Sequence, residues 1–226
     1  MNSIEEILEK MTLSEKIGQL TMCGNSIYNK DESLASERLR QGRVGSVITG
    51  IDVKLANKMQ REAVEHTRLG IPLMYGFDVI HGFRTIFPMP LAESCSWDER
   101  LAEETSRVAA KEARAGGIHL TFAPMVDLSR DARWGRYNES AGEDPYLNCI
   151  FAKARVKGFQ GTDISQTDRI AACVKHFVGY GAVEGGIDYN SVELSKVSLY
   201  NYYLPPFQAA VDAGVKCVMS AFTTLN

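Results

Sequence analysis

Six short apolar runs, separated by stretches of helical periodicity, constrain the fold of this chain more than any other feature. The runs span 20–23, 45–49, 72–77, 119–123, 171–175 and 217–222. A strand with one wet face alternates apolar and polar residues. These runs stay apolar on both faces, which is the pattern of a parallel sheet covered by helices. The stretches between them carry helix punctuation. The pattern over 33–41 stops at Gly42, that over 52–69 at Gly70, and that over 98–115, opened by Asp98, at Gly116-Gly117. Asp144-Pro145 reads as an N-cap with proline at the first helical position, and Pro205-Pro206 opens a helix ending at Gly214. Ser3-x-x-Glu6 and Thr12-x-x-Glu15 fit capping boxes.

Two architectures satisfy this rhythm, an open doubly wound sheet and a (β/α)₈ barrel. No glycine-rich dinucleotide fingerprint follows the first run, which continues Cys23-Gly24-Asn25-Ser26. Polar groups instead gather just after several runs, at Asp78, Arg136, Lys175 and His176. Chemistry at the C-terminal ends of many strands is the habit of the barrel. The expected fold class is therefore α/β, of the parallel (β/α) TIM-barrel type. It is expected to be incomplete, with about six of the eight strand units that fill roughly 250 residues in a typical barrel.

Composition narrows the function. The 226 residues are 45% hydrophobic and 23% charged with a net charge of −3, an ordinary globular balance. Nucleic-acid binding calls for basic patches, and no basic run occurs. No apolar stretch reaches the roughly 18 residues of a membrane span. The opening Met-Asn-Ser-Ile-Glu-Glu lacks the basic and apolar regions of a signal peptide, so the chain as given reads as cytoplasmic unless a leader has been removed. The five cysteines are odd in number and without Cys-x-x-Cys spacing, and the four histidines show no metal spacing. Neither a disulfide framework nor a metal site is expected.

The stretch from Asp127 to Asp144 says most about function. It places Arg130, Arg133 and Arg136 around Trp134-Gly135, between acids, directly after an apolar run. A core segment would not carry that charge, because a buried unpaired guanidinium is too costly. One reading is a ligand loop, with forked donors for hydroxyls or anions held in place by carboxylates. The other is a salt-bridged surface loop.

Arg130-Asp131-x-Arg133-Trp134-Gly135-Arg136 resembles the loop signature of glycoside hydrolase family 3, the β-glucosidase family. Three other segments resemble family motifs in the same order: residues 11–20, Gly76-Phe77-Asp78-Val79-Ile80-His81-Gly82, and Val174-Lys175-His176-Phe177. The resemblance runs from about residue 4 to the end of the chain. It implies a barrel-type catalytic domain that binds a small carbohydrate. Asp78, Arg136, Lys175, His176 and Met219 would line the −1 subsite, with no metal or organic cofactor. Arg130 and Arg133 would be structural, paired with Asp127, Asp131, Glu139 or Glu143, and Trp134 would pack the loop. His81 would brace its turn. Ala132 stands where the family pattern usually has proline. Adjacent strand residues point to opposite faces, so the backbone must bend if Lys175 and His176 are to meet one ligand.

Tyr180 occupies the place where one branch of the family has an acid/base histidine. An unperturbed tyrosine pKa of about 10 unfits it for that role, which favours the β-glucosidase branch. Phe222 stands where many members have a tyrosine bonded to the nucleophile. A retaining enzyme needs two carboxyl groups about 5 to 5.5 Å apart. The family's nucleophile lies in a Ser-Asp pair on a later strand, and its acid/base in another domain. No catalytic residue is therefore expected within 1–226. The chain reads as the N-terminal portion of a (β/α)₈-type domain, without the later strands and second domain. Its first and sixth strands would be exposed edges open to self-association. The implied function is a retaining exo-acting β-glucosidase-like enzyme. The alternatives are a β-xylosidase or exo-β-glucanase of the same family, a non-catalytic sugar-binding or assembly fragment, and an unrelated barrel whose arginine loop binds phosphate.

Overall fold

A computed structural model describes residues 3–24, 32–48 and 53–225. Asn25, Ser26, Thr49, Asp52 and Asn226, which the sequence reading touched, lie outside the described residues. The chain divides into two compact units, Met1–Phe77 with Gly116–Ile118, and Asp78–Ala115 with His119–Asn226.

In the first unit, α1 (Ile4–Lys10) and α2 (Leu13–Gln19) begin in the expected capping boxes. Ser3 and Thr12 accept from the backbone N–H groups of Glu6 and Glu15, whose carboxylates reach back to the caps. Then come β1 (Met22–Gly24), α3 (Glu32–Arg40), β2 (Ser46–Ile48), α4 (Val53–Glu65) and β3 (Met74–Phe77). The three strands are parallel, with Met22 opposite Ser46 and Ser46 opposite Met74. Buried Tyr75 donates its hydroxyl to Ala56 O at 2.9 Å, tying β3 to α4. Glycine sets the approach of α2 to β2. A Cβ on Gly18 would sit 1.9 Å from Gly42 O, and one on Gly45 would sit 2.5 Å from Gln19 O. β1 begins two residues later than the apolar run, because α2 holds the chain to Gln19 and Thr21 Oγ1 bonds back to Ile17 O at 2.9 Å. α4 stops at Glu65 and not Leu69. Thr67 Oγ1 takes the Ala63 carbonyl at 2.5 Å and receives the Gly70 N–H at 3.1 Å, closing the helix early.

The second unit contains α5 (Pro90–Ser94), α6 (Glu99–Ala115), β4 (Leu120–Thr121), α7 (Pro145–Gln160), β5 (Ala171–Phe177), α8 (Lys196–Ser198), a π turn (Leu199–Tyr203), α9 (Pro205–Asp212) and β6 (Cys217–Ser220). Its three strands are also parallel and in chain order. α6 presents Ala102, Ala109, Ala110 and Ala113 as a buried small-residue face. Gly158 of α7 lets the helices touch, since a Cβ there would meet Glu103 O at 2.4 Å. Gln160, at the end of α7, accepts from the N–H groups of Ala172 and Lys216, each at 3.1 Å, and so fixes where β5 and β6 start. β4 is shorter than its apolar run. Pro124 has no N–H to give to a ladder, and past Thr121 the chain meets β5 through single bonds, from Cys173 N–H to Ala123 O at 2.9 Å, from Lys175 N–H to Pro124 O at 3.1 Å and from Val126 N–H to Lys175 O at 2.9 Å. β5 is longer than expected, running through Phe177, with a register shift against β6 between Lys175 and Phe177. The cysteines are all free thiols, with Cys95 exposed and Cys173 buried. Among the described residues, no helix is long and apolar enough to cross a membrane.

Candidate functional site

Asp78 is the first residue after β3, and Lys175 is the fifth residue of β5. The Lys175 ammonium donates to Asp78 Oδ1 at 2.9 Å. The pair is unequal: the lysine side chain is 3% exposed and the aspartate 53%. A buried cation thus sits beneath a carboxylate that faces solvent. Met219 of β6 lies opposite Lys175 in the parallel ladder, half-buried on the same face.

His176 is treated differently from its neighbour. Its backbone N–H and ring Nδ1 both lie on Asp127 Oδ2, at 3.1 and 2.8 Å, and both residues are buried. Asp127 thus binds both the backbone and the ring of His176, leaving Nε2 clear of it. Asp127 Oδ1 is buried with no partner among the described residues. The register shift after Lys175 is the expected bend in β5, and the Lys175–His176 peptide is cis.

Arg136 forks onto Glu139, with Nε at 2.8 Å from Oε1 and Nη2 at 2.9 Å from Oε2. Its guanidinium also lies 5.6 Å from the centre of the Tyr180 ring, and that ring stands edge-on to His176 at 5.1 Å. Burial alone would raise the Glu139 pKa. Arg136, with help from Lys175 and His176, outweighs it and holds the carboxyl below the usual range. Burial likewise opposes the Arg136 charge, but Glu139 carries its pKa above the ordinary value. Tyr180 is buried and donates to Asp188, and burial followed by that aspartate pushes its pKa up. It is therefore a fixed proton donor to Asp188. Trp134 Nε1 reaches the same aspartate at 2.9 Å, so Asp188 joins the arginine loop to the segment after β5.

The structure therefore joins Asp78 to Lys175 directly, sets Met219 beside Lys175, and links Arg136 to His176 through Tyr180. Arg136 makes no bond to Asp78; its nitrogens go to Glu139. Two expected pairings are corrected. Asp127 serves His176 and not an arginine. Arg130 lies over the Tyr202 ring at 4.9 Å, with the Tyr203 ring 5.9 Å away. Arg133 pairs with Asp131 on the exposed side of the loop, as expected. His81 Nδ1 lies 2.8 Å from Phe87 O, bracing its turn. Phe222 brings no hydroxyl and packs against His176 and Tyr180 at 5.7 and 5.6 Å. Sequence reasoning missed Asp188 and the His176–Asp127 link. The only local signal for the latter was an acid just past an apolar run. Among the described residues, no group of three His, Cys, Asp or Glu side chains is placed to hold a metal ion.

Residues 12–226 match the glycosyl hydrolase family 3 N-terminal domain. The chain is 41% identical over 223 residues to a periplasmic β-glucosidase of Salmonella typhimurium, covering 99% of this chain and 29% of that protein. It is 38% identical over 189 residues to a β-xylosidase of Formosa agariphila, covering 78% of this chain and 26% of that one. Among solved structures it is similar to the Listeria innocua β-glucosidase in complex with glucose. There the TM-score is 0.93 at 41% identity, over all of this chain and 34% of that chain. An exo-1,3/1,4-β-glucanase from a Pseudoalteromonas species aligns with a TM-score of 0.88 at 31% identity, over 98% of this chain and 30% of that one. The chain thus spans less than a third of the length of the two curated relatives, those of Salmonella and Formosa.

Proposed function

The chain belongs to glycoside hydrolase family 3, in the N-terminal domain with its TIM-barrel-type fold, and on that premise we propose that it supplies the glycon-binding part of a retaining exo-acting β-glycosidase. The substrate is a terminal, non-reducing β-D-glucosyl residue. One observation carries this reading: the buried Lys175 ammonium beneath the solvent-facing Asp78 carboxylate. A carboxylate held from below and open above can accept two sugar hydroxyls at once. His176 Nε2, Arg136 and Met219 complete the −1 subsite, with Asp127 and Glu139 holding the first two in place.

The reaction is double displacement through a glycosyl-enzyme intermediate, with hydroxyl contacts tightening in the oxocarbenium-like transition state. It needs no metal or organic cofactor. Residues 1–226 form the N-terminal portion of a (β/α)₈-type domain. The nucleophile, the acid/base group and a second domain lie elsewhere in a longer polypeptide, in keeping with the 29% share of the Salmonella relative. Glu139 serves Arg136 and is no substitute nucleophile. The Formosa β-xylosidase keeps a pentoside preference open as a second reading. Exposed apolar residues such as Val218 on β6 and Leu20 after α2 support self-association of the 226-residue chain. The Salmonella relative is a periplasmic enzyme, and cell fractionation distinguishes a periplasmic from a cytoplasmic product here.

The test is hydrolysis of aryl β-glucoside and aryl β-xyloside by the 226-residue chain and by the full-length polypeptide. The full-length protein is expected to prefer the glucoside, and the 226-residue chain to show little or no turnover. Robust turnover by the purified 226-residue chain rejects this division of labour.

A further inference from the structure

A second buried ion pair lies beneath the loop that carries Asp78, and the sugar chemistry proposed above does not use it. Arg155 of α7 and Glu93 of α5 are bonded side chain to side chain and are 7% and 5% exposed. Such a pair gains little by itself, because desolvation offsets the attraction and apolar residues of similar size often do as well. Its geometry points to a different role. Arg155 Nη1 donates to the carbonyl of Ile80 at 3.2 Å, two residues past Asp78. Glu93 is itself held by Thr105 Oγ1 of α6 at 2.6 Å. On the other side, the Val79 N–H donates to Thr121 Oγ1 of β4 at 3.1 Å. The Val79–Ile80 backbone is therefore gripped by its donor from one strand and by its acceptor from one helix. A small cavity lies below it, lined by Val79, Ile80, His81, Glu93, Ser106 and Arg155. The Ser106 hydroxyl there has no partner among the described residues. Arg155 crosses beside this cavity to the Ile80 carbonyl as a strut. Asp78 is more than half exposed, and its aim depends on its backbone and on Lys175.

We propose that Arg155, braced by Glu93, is a positioning residue for the glycon site: it fixes the backbone at Ile80 so that the Asp78 carboxylate stays over the Lys175 ammonium. The proposal rests on the reading of Asp78 as a sugar-binding carboxylate.

The experiment uses the full-length polypeptide with an aryl β-glucoside, together with amide hydrogen exchange of residues 79–82. The variant Arg155→Met/Glu93→Leu removes both charges and leaves no orphaned ion. It is expected to fold and melt close to wild type, yet lose roughly 10- to 100-fold in kcat/KM with KM raised, the effect of a small misplacement at a site. Exchange at 79–82 should accelerate, and Arg155→Lys, which keeps the charge and one donor, should recover part of both. A folded double variant with unchanged KM, kcat and exchange overturns the proposal and leaves the pair a purely structural one. If the double variant does not fold, Thr105→Val, which keeps both charges, should shift both readouts less but in the same direction. No shift in either sinks the idea. If the wild-type full-length protein hydrolyses no glycoside, the functional reading fails, and the exchange data alone then decide whether Arg155 is a strut.

Discussion

Both units of this chain carry ion pairs at the surface, but among the described residues only the second also seals charged side chains from water. In the first, ion pairs lie at the surface: Arg68 with Glu15, and Arg40 with Glu62, with both arginine side chains more than half exposed. In the second, Lys175, His176 with Asp127, and Arg155 with Glu93 are all nearly sealed from water. Exposed pairs cost little to form and contribute little. Buried ones are expensive, and a fold seeking only stability would replace them with apolar packing. The contrast separates a unit whose ion pairs stay at the surface from one that also holds charges out of water.

The contrast can be broken most sharply at Asp127. Asp127→Ala strips His176 of the acceptor for two bonds, and loss of one partner of a buried pair should destabilise the second unit by about 3–5 kcal/mol. Both tryptophans, Trp97 and Trp134, belong to that unit, so their fluorescence during urea unfolding reads it selectively. An unchanged midpoint would mean that the buried pair carries no structural weight.

Next comes Asp78→Asn in the full-length polypeptide. It should cost little stability, because the amide oxygen still accepts from the buried Lys175 ammonium, while lowering kcat/KM roughly 100-fold, or about 2.7 kcal/mol. Steady-state kinetics on an aryl β-glucoside checks this, and a variant as active as wild type would remove Asp78 from the site.

A smaller effect is expected at Tyr180. Its hydroxyl bonds Asp188, and Tyr180→Phe should cost about 2 kcal/mol for a bond to a charged acceptor. The folded pKa of Tyr180 is raised above its ordinary value of 10.0. Its contribution is therefore complete below pH 10 and falls as pH climbs beyond it, since the unfolded chain releases the proton first. The variant should flatten this alkaline decline in pH-dependent unfolding. An identical slope in both proteins would assign the decline to other groups.

The least effect belongs to the first unit. The Arg68 side chain, bonded to Glu15, holds that carboxyl at about 2, down from 4.5. A depressed carboxyl pKa contributes stability above about pH 4.5 and loses it as pH falls toward 2. Solvent screening makes the contribution small. Arg68→Ala should barely move the far-UV circular dichroism midpoint at neutral pH. A loss as large as that of Asp127→Ala would erase the distinction between the units.

Much of this architecture was legible because it is written locally. Both capping boxes, the Asp144-Pro145 start and the six apolar runs depend on neighbours within a few positions, and each became an element, with the ends of several strands shifted. What failed was long-range or subtractive. Nothing near Asp127 says that its partner is His176, 49 residues on, and not an arginine beside it. Arg130 looked like one half of an ion pair, but Tyr202 and Tyr203 of the π turn offered it ring faces. β4 ends at Thr121 although its apolar run goes on to Ala123, because beyond Thr121 the chain meets β5 through single bonds and not a regular ladder, and the run itself does not show this. For the candidate site, sequence nominated the side chains, and the fold supplied what holds each one.

The thiols add a means of timing. Cys173 sits inside β5, two residues from Lys175, with burial and its cross-strand neighbour Cys217 pushing its pKa up to about 12. Cys95 is exposed. A thiol reagent at neutral pH will therefore label Cys95 at once and Cys173 only when β5 parts from its neighbours. The delay between the two modifications, followed by mass spectrometry, is a stopwatch for how often the strand bearing Lys175 and His176 opens.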